Sequence, residues 1–108
     1  MSILRKYPAT IVRIIDGDTL VLRVDVGFRN SYEDTFRLAH CNAAEGKYTE
    51  AAKKLREWLP IGKSVTVTSS KPEKFGRWLC DISWEDCESL VENLISCGLA
   101  TSYEGGKR

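Results

Sequence analysis

The sequence predicts an α+β domain of mainly β character: a five-stranded barrel with one helix between its third and fourth strands and a second helix after the fifth. Three observations predict it. Five short runs rich in β-branched or aromatic residues carry the signature of strands, most of them with clear period-two alternation. Two segments place apolar residues at steps of three and four, the spacing of a helix lying on a core. The length, 108 residues, suits a single domain spanning 1–108, since domains typically hold ~100–150 residues. Within it, residues 1–7 and 104–108 are expected to be flexible ends.

The first strand is expected over residues 9–15, where β-branched side chains dominate and Pro8 suits the start of an edge strand. Gly17, between Asp16 and Asp18, then turns the chain. In residues 19–26, Leu20, Leu22, Val24 and Val26 alternate with Thr19, Val21, Arg23 and Asp25, which predicts a strand with one buried face. Residues 27–34 include Gly27, Asn30, Ser31 and Asp34 and read as a loop or a long hairpin connection. The third strand, residues 35–39, points Phe36 and Leu38 one way and Arg37 the other.

Residues 48–59 form the first predicted helix, with Tyr48, Ala51, Ala52, Leu55, Trp58 and Leu59 on one face and Lys53, Lys54, Arg56 and Glu57 on a solvated one. Pro60 and Gly62 stop it. Val65 and Val67 alternate with Thr66 and Thr68 in a fourth strand, residues 69–77 read as a polar, basic loop, and Trp78, Cys80, Ile82 and Trp84 mark the fifth strand. Asp86 is expected to cap a second helix whose stripe is Leu90, Val91, Leu94, Ile95 and Cys97, ended by Gly98 in the left-handed conformation. Residues 99–103 are expected to pack back on the domain. This element order is that of an OB-type barrel.

Composition narrows the function classes. Sixteen Lys and Arg against fifteen Asp and Glu leave a formal net charge of +1, so bulk electrostatics cannot hold a polyanion, and any such binding needs a local basic cluster. No apolar run approaches the ~18 residues of a membrane span, and residues 1–9 do not read as a signal peptide. The expectation is a cytoplasmic protein with no membrane partner. Cys41, Cys80, Cys87 and Cys97 show neither a Cys-x-x-Cys pair nor a dense secreted pattern, which predicts reduced, mostly buried thiols. His40 beside Cys41 lacks two further ligands at zinc spacing.

The residues that carry chemistry lie between Asp16 and Glu45. A paired sheet brings the acidic turn Asp16-Gly17-Asp18-Thr19, Arg37 on the third strand, and the segment Asn42-Ala43-Ala44-Glu45 to one place. Carboxylates, an amide oxygen and a guanidinium in such a cluster suit metal-assisted chemistry on a phosphate. Lys74-Phe75-Gly76-Arg77 forms a second piece in the basic loop. Taken singly, each residue has a plainer role: Asp16 and Asp18 as turn residues, Arg37 in a surface ion pair, Arg77 as a loop charge, Glu45 at a helix start. The joint spacing is what these roles leave unexplained.

With Ile15-Asp16-Gly17-Asp18-Thr19, Thr35-Phe36-Arg37-Leu38-Ala39, Glu45, Lys74-Phe75-Gly76-Arg77 and Cys97-Gly98-Leu99-Ala100 in register, the chain resembles the staphylococcal nuclease (thermonuclease) family over roughly residues 9–103. The resemblance implies an OB-fold barrel with a calcium-dependent phosphodiesterase activity on DNA and RNA, Mg²⁺ and Mn²⁺ being further candidates for the ion. It implies that Asp18 ligates the metal with Asp16 as its acidic neighbour. Arg37 and Arg77 would hold the scissile phosphate, Glu45 would activate or orient the attacking water, and Lys74 would contact a neighbouring phosphate. Single-stranded DNA or RNA is the implied substrate, and a monomer is expected.

The chain departs from the family pattern at Asn42 and Phe75. Asn42 stands where an aspartate ligand is usual, keeping a carbonyl oxygen but no charge. Ala43 retains a backbone carbonyl as a possible ligand. Phe75 replaces a common tyrosine in the substrate contact and so lacks its hydroxyl. Two function classes follow: a metal-dependent nuclease, or an OB-type nucleic-acid-binding or interaction module that kept the arginines without efficient cleavage because of Asn42. A barrel whose partner is another protein is the third.

Overall fold

In a computed structural model of the chain, the residues described are 5–39, 41–43, 49–72 and 78–102. In chain order the elements are β1 (Arg5–Asp16), β2 (Thr19–Gly27), β3 (Asn30–Leu38), β4 (Cys41–Ala43), α1 (Glu50–Trp58), β5 (Ser64–Pro72), β6 (Trp78–Ser83), α2 (Leu90–Ser96) and β7 (Ala100–Ser102). Five of the strands close a barrel in the order β1-β2-β3-β6-β5, and β4 pairs with β7 in a small separate sheet. The predicted architecture is therefore the observed one, with α1 between the third and fourth barrel strands and α2 after the fifth.

Closure follows from the alternation. Ile11, Leu20, Leu22, Leu38, Val67, Cys80 and Ile82 are all essentially inaccessible to solvent and fill the barrel, each large aliphatic side chain contributing about 1.5–3 kcal/mol by leaving water. Register shifts in the β1–β2 pairing, between Ile11 and Arg13 and between Ile14 and Asp16, bend β1 as bulges do. β3 and β6 pair in parallel, Phe36 with Trp78, Arg37 with Leu79 and Leu38 with Cys80. A parallel pair needs a long crossover, and α1 and β5 lie within it. Leu55 and Leu59 of the α1 segment and Leu90 and Leu94 of α2 complete the core.

The helix ends are chemically specified. Thr49 caps α1, its hydroxyl accepting from the Ala52 amide at 3.2 Å, and the turn after the helix is fixed to β1 where Gly62 donates to the Ile11 carbonyl at 2.8 Å. Gly98 ends α2 at φ +78, with Gly98 N–H on the Ile95 carbonyl and Leu99 N–H on the Leu94 carbonyl, both at 3.0 Å, the paired bonds of a Schellman motif. The N-cap of α2 corrects the expectation of Asp86. Ser89 caps the helix, accepting from the Glu92 amide at 3.2 Å, because the main chain of Trp84 and Cys87 bonds reciprocally across residues 85–86 and takes Asp86 into that turn. Asp81 ties β6 to this helix start by accepting from the Ser89 hydroxyl and the Val91 amide. Cys97 lies beyond the helix and is exposed, not part of its buried stripe.

Two strand boundaries are also corrected. β1 begins at Arg5, not at residue 9, because Arg5, Lys6 and Tyr7 pair with Ser69, Thr68 and Val67 of β5; the flexible end predicted for residues 1–7 does not hold for these three. The connection predicted over residues 27–34 is much shorter. β3 starts at Asn30, which pairs with Gly27, so the hairpin turns on Phe28 and Arg29 alone. Both have positive φ, 55° and 61°, as a type I′ turn requires. Neither residue tolerates that region without strain, and Phe28 is 98% exposed, so its ring gains nothing from packing. Residues 69–72 of the predicted basic loop are instead strand, continuing β5 in its pairing with β6; Tyr48 of the predicted first helix and residues 73–77 lie outside the described residues.

Replacing the turn with Phe28→Asn and Arg29→Gly should therefore stabilise the protein by about 1–2 kcal/mol, read as a higher urea midpoint at unchanged m-value. A lower midpoint would show that the two side chains contribute more than their backbone conformation costs.

Candidate active site

Gly17 and Asp18 form the turn from β1 to β2, closed by the Asp18 amide donating to Asp16 Oδ1 at 3.1 Å. The turn folds Asp18 inward, leaving it 6% exposed. A carboxylate so buried has to be satisfied by partners from the protein. Oδ1 accepts the Thr19 hydroxyl at 3.1 Å and Oδ2 accepts the Ala43 amide at 3.2 Å. The Arg37 guanidinium lies 3.6 Å from Oδ2, an ionic contact longer than a hydrogen bond.

Register explains why Arg37 arrives there. It is the cross-strand partner of Thr19, and the Leu38 amide donates to the Asp18 carbonyl at 2.8 Å, so β3 is fastened to the turn by main chain on the next residue. Arg37 is 9% exposed, and its Nη2 also stands 3.5 Å from the Cys41 carbonyl. An arginine on the outer face of a strand is ordinarily solvated; this one is enclosed because β4 runs beside it. β4 is held in turn by β7, with Cys41, Asn42 and Ala43 opposite Ser102, Thr101 and Ala100.

Of the residues singled out from sequence, Asp16, Asp18, Arg37 and the main chain of Asn42 and Ala43 come together in this cluster. For Ala43 it is the N–H that meets Asp18, where the resemblance implied a role for its carbonyl. The side chain of Asn42, and Glu45, Lys74, Phe75 and Arg77 entirely, lie outside the described residues. Sequence reasoning missed the Thr19 hydroxyl, whose signal was its place beside Asp18, and the Ala43 amide, for which a main-chain donor leaves no signal.

Burial raises the Asp16 carboxyl above the ordinary carboxylate range, and side-chain hydrogen bonding with Asp18 and the negative charge of that neighbour push the same way, against the smaller lowering effects of the Asp18 amide and the Thr19 side chain. Burial likewise pushes the Cys41 thiol up to about 11, with the Asp18 charge adding to it, and raises Cys80 strongly, so both are inert core thiols. Cys87 is also buried and Cys97 exposed. Among the described residues, no three His, Cys, Asp or Glu side chains group as metal ligands. The Asp16 and Asp18 carboxylates supply oxygen donors, the type a hard divalent cation takes.

Residues 29–108 match the family model described as staphylococcal nuclease homologue. The chain belongs to that family. It is also 29% identical over 96 residues to a protein of Escherichia coli O157:H7 named uncharacterized endonuclease, a match covering 87% of this chain and 60% of the relative's own length. No helix among the described residues is long and apolar enough to cross a membrane.

Because the folded state binds the Asp16 proton more tightly than the unfolded chain does, stability falls as pH rises from the ordinary aspartate range through the raised value, and the penalty is complete above it. In the presence of a chelator, Asp16→Asn, which keeps the oxygen that accepts from Asp18, should be more stable than the parent at pH 7, with the difference closing as pH falls toward 4. Urea titrations at both pH values check this. A gap independent of pH would show that the Asp16 charge is not its cause.

Proposed function

We propose that the chain is a metal-dependent phosphodiesterase that hydrolyses DNA or RNA as single strands, acting as a monomer with Ca²⁺ as its ion and Mg²⁺ or Mn²⁺ as substitutes. The observation that carries the reading is the buried Asp18–Arg37 contact at 3.6 Å in a chain of a nuclease family. A carboxylate beside a guanidinium supports this reading, because an oxygen donor suits a hard cation and a planar fork suits phosphate oxygens.

In this reading Asp18, with Asn42, a backbone carbonyl near Ala43 and Asp16 close by, would hold a calcium-type ion through oxygen donors, whose chemistry there would be polarisation of the phosphoryl oxygens. Arg37 and Arg77 bind the scissile phosphate and match the negative charge that grows on its oxygens in the transition state. Glu45 takes a proton from the attacking water or holds that water in line, which requires its carboxylate within hydrogen-bond reach. Lys74 and Phe75 contact the adjoining nucleotide, and the missing hydroxyl at Phe75 removes one phosphate contact. Thr19 and the Ala43 amide keep Asp18 aimed.

The second reading, a binding module without efficient cleavage, rests on Asn42, which brings one charge fewer to the ion than an aspartate. One assay separates the two: cleavage of an end-labelled single-stranded DNA oligonucleotide over calcium, magnesium and manganese titrations, with Glu45→Gln and Asn42→Asp alongside. The expected result is metal-dependent cleavage, reduced by about 10²-fold or more in Glu45→Gln, with Asn42→Asp reaching half-maximal rate at ~10-fold lower calcium. Oligonucleotide bound but uncut at every metal concentration would instead establish the binding module.

A further inference from the structure

At the end of the barrel away from the Asp18 turn, the strands leave a groove of about 320 Å³ between β3 and the β5–β6 pair. Tyr7, Tyr32, Phe36 and Trp78 line it over a floor that includes Val24 and Val67. Among the described residues, β3 and β6 begin to pair at Phe36 and Trp78, which leaves the first half of β3 without a described strand neighbour on that side. The gap is bridged by side chains: the Trp78 indole N–H donates to the Tyr32 hydroxyl at 3.3 Å, and that hydroxyl donates to Asp34. These bonds tie the Tyr32 and Trp78 side chains together at its edge.

We propose that this groove is a base-binding subsite that takes one unpaired nucleobase of the nucleic-acid strand. The inference rests on nucleic acid being the ligand, as the proposed function has it. Three features favour a base over an aliphatic or helical partner. The walls are aromatic, offering faces on which any base stacks. The polar edges are few and fixed, as in pockets that orient a flat heteroaromatic ligand. The volume admits one base with its sugar and little more.

The test uses a fluorescein-labelled single-stranded dodecathymidylate, bound in the presence of a chelator, and a set of the same oligonucleotide with one abasic residue at successive positions. For the unaltered protein, one abasic position should weaken binding about tenfold. Trp78→Ala and Tyr7→Ala should each weaken binding of the intact oligonucleotide by a similar factor and lose sensitivity to the abasic position. In the unaltered protein, the Trp78 indole N–H resonance should shift on titration, a readout that needs no variant to fold. Equal affinity for all abasic variants, or an unmoved indole resonance, would overturn the subsite. Metal-dependent cleavage run in parallel keeps the two readings apart. A protein that cleaves but ignores the abasic position loses the subsite alone; one that does not cleave yet shows abasic-sensitive binding loses the nuclease reading alone.

Discussion

A carboxylate removed from water must find donors on every side, and at Asp18 those donors come from separate parts of the chain. Its own turn supplies the Thr19 hydroxyl, β3 the Arg37 guanidinium, and β4 the Ala43 amide, while its carbonyl takes the Leu38 amide. Leaving such a group with a partner missing is costly, about 3–5 kcal/mol for one half of a buried ion pair. The cluster therefore fixes where β4 runs relative to the barrel. The same bonds contribute little net stability against an apolar replacement of similar volume, so their consequence is specification of geometry.

That geometry divides the molecule by chemistry. The Asp18 end gathers the acidic pair, the buried arginine and the main chain of residues 42–43, whereas the opposite end carries the aromatic groove and the long β2–β3 hairpin. β3 joins them, with Arg37 on its outer face and Phe36 and Leu38 turned into the barrel. Phe36 and Leu38 are buried, which holds the intervening arginine at a fixed height and rotation. A positively charged group positioned by its apolar neighbours loses little freedom when it meets a phosphate, which is the economy of preorganisation.

What the sequence disclosed follows the range of the forces involved. The barrel strands and both helices were legible because alternation and helical period are local patterns that the core enforces. The Asp16–Asp18 turn and Arg37 were legible because short spacings and a paired register bring them together. Arg5 to Tyr7 were misread because their strand character comes from pairing with β5, sixty residues away in order of magnitude. The hairpin was misread because Asn30, Ser31 and Asp34 have the composition of a loop, while cross-strand pairing carries them as strand. Ser89 outcompeted Asp86 as a cap because Asp86 was already committed to the Trp84–Cys87 turn, a contest that composition cannot decide. β4 and β7, three residues each, are too short to show any period.

Position 42 shows how the scaffold and the chemistry separate. The main chain there is held on two sides, by the pairing of Asn42 with Thr101 and by the adjacent Ala43 amide on Asp18, and neither constraint depends on the side chain that residue 42 carries. An asparagine in place of an aspartate leaves that path intact and changes the local charge by one. Around it stand the negative charge of Asp18 and the disfavoured one of Asp16, offset by Arg37. In the proposed reading, a cation bound among these groups would meet one anionic ligand fewer, and a phosphate held by the arginine would meet correspondingly less repulsion. The asparagine would then exchange affinity for the ion against affinity for the anion.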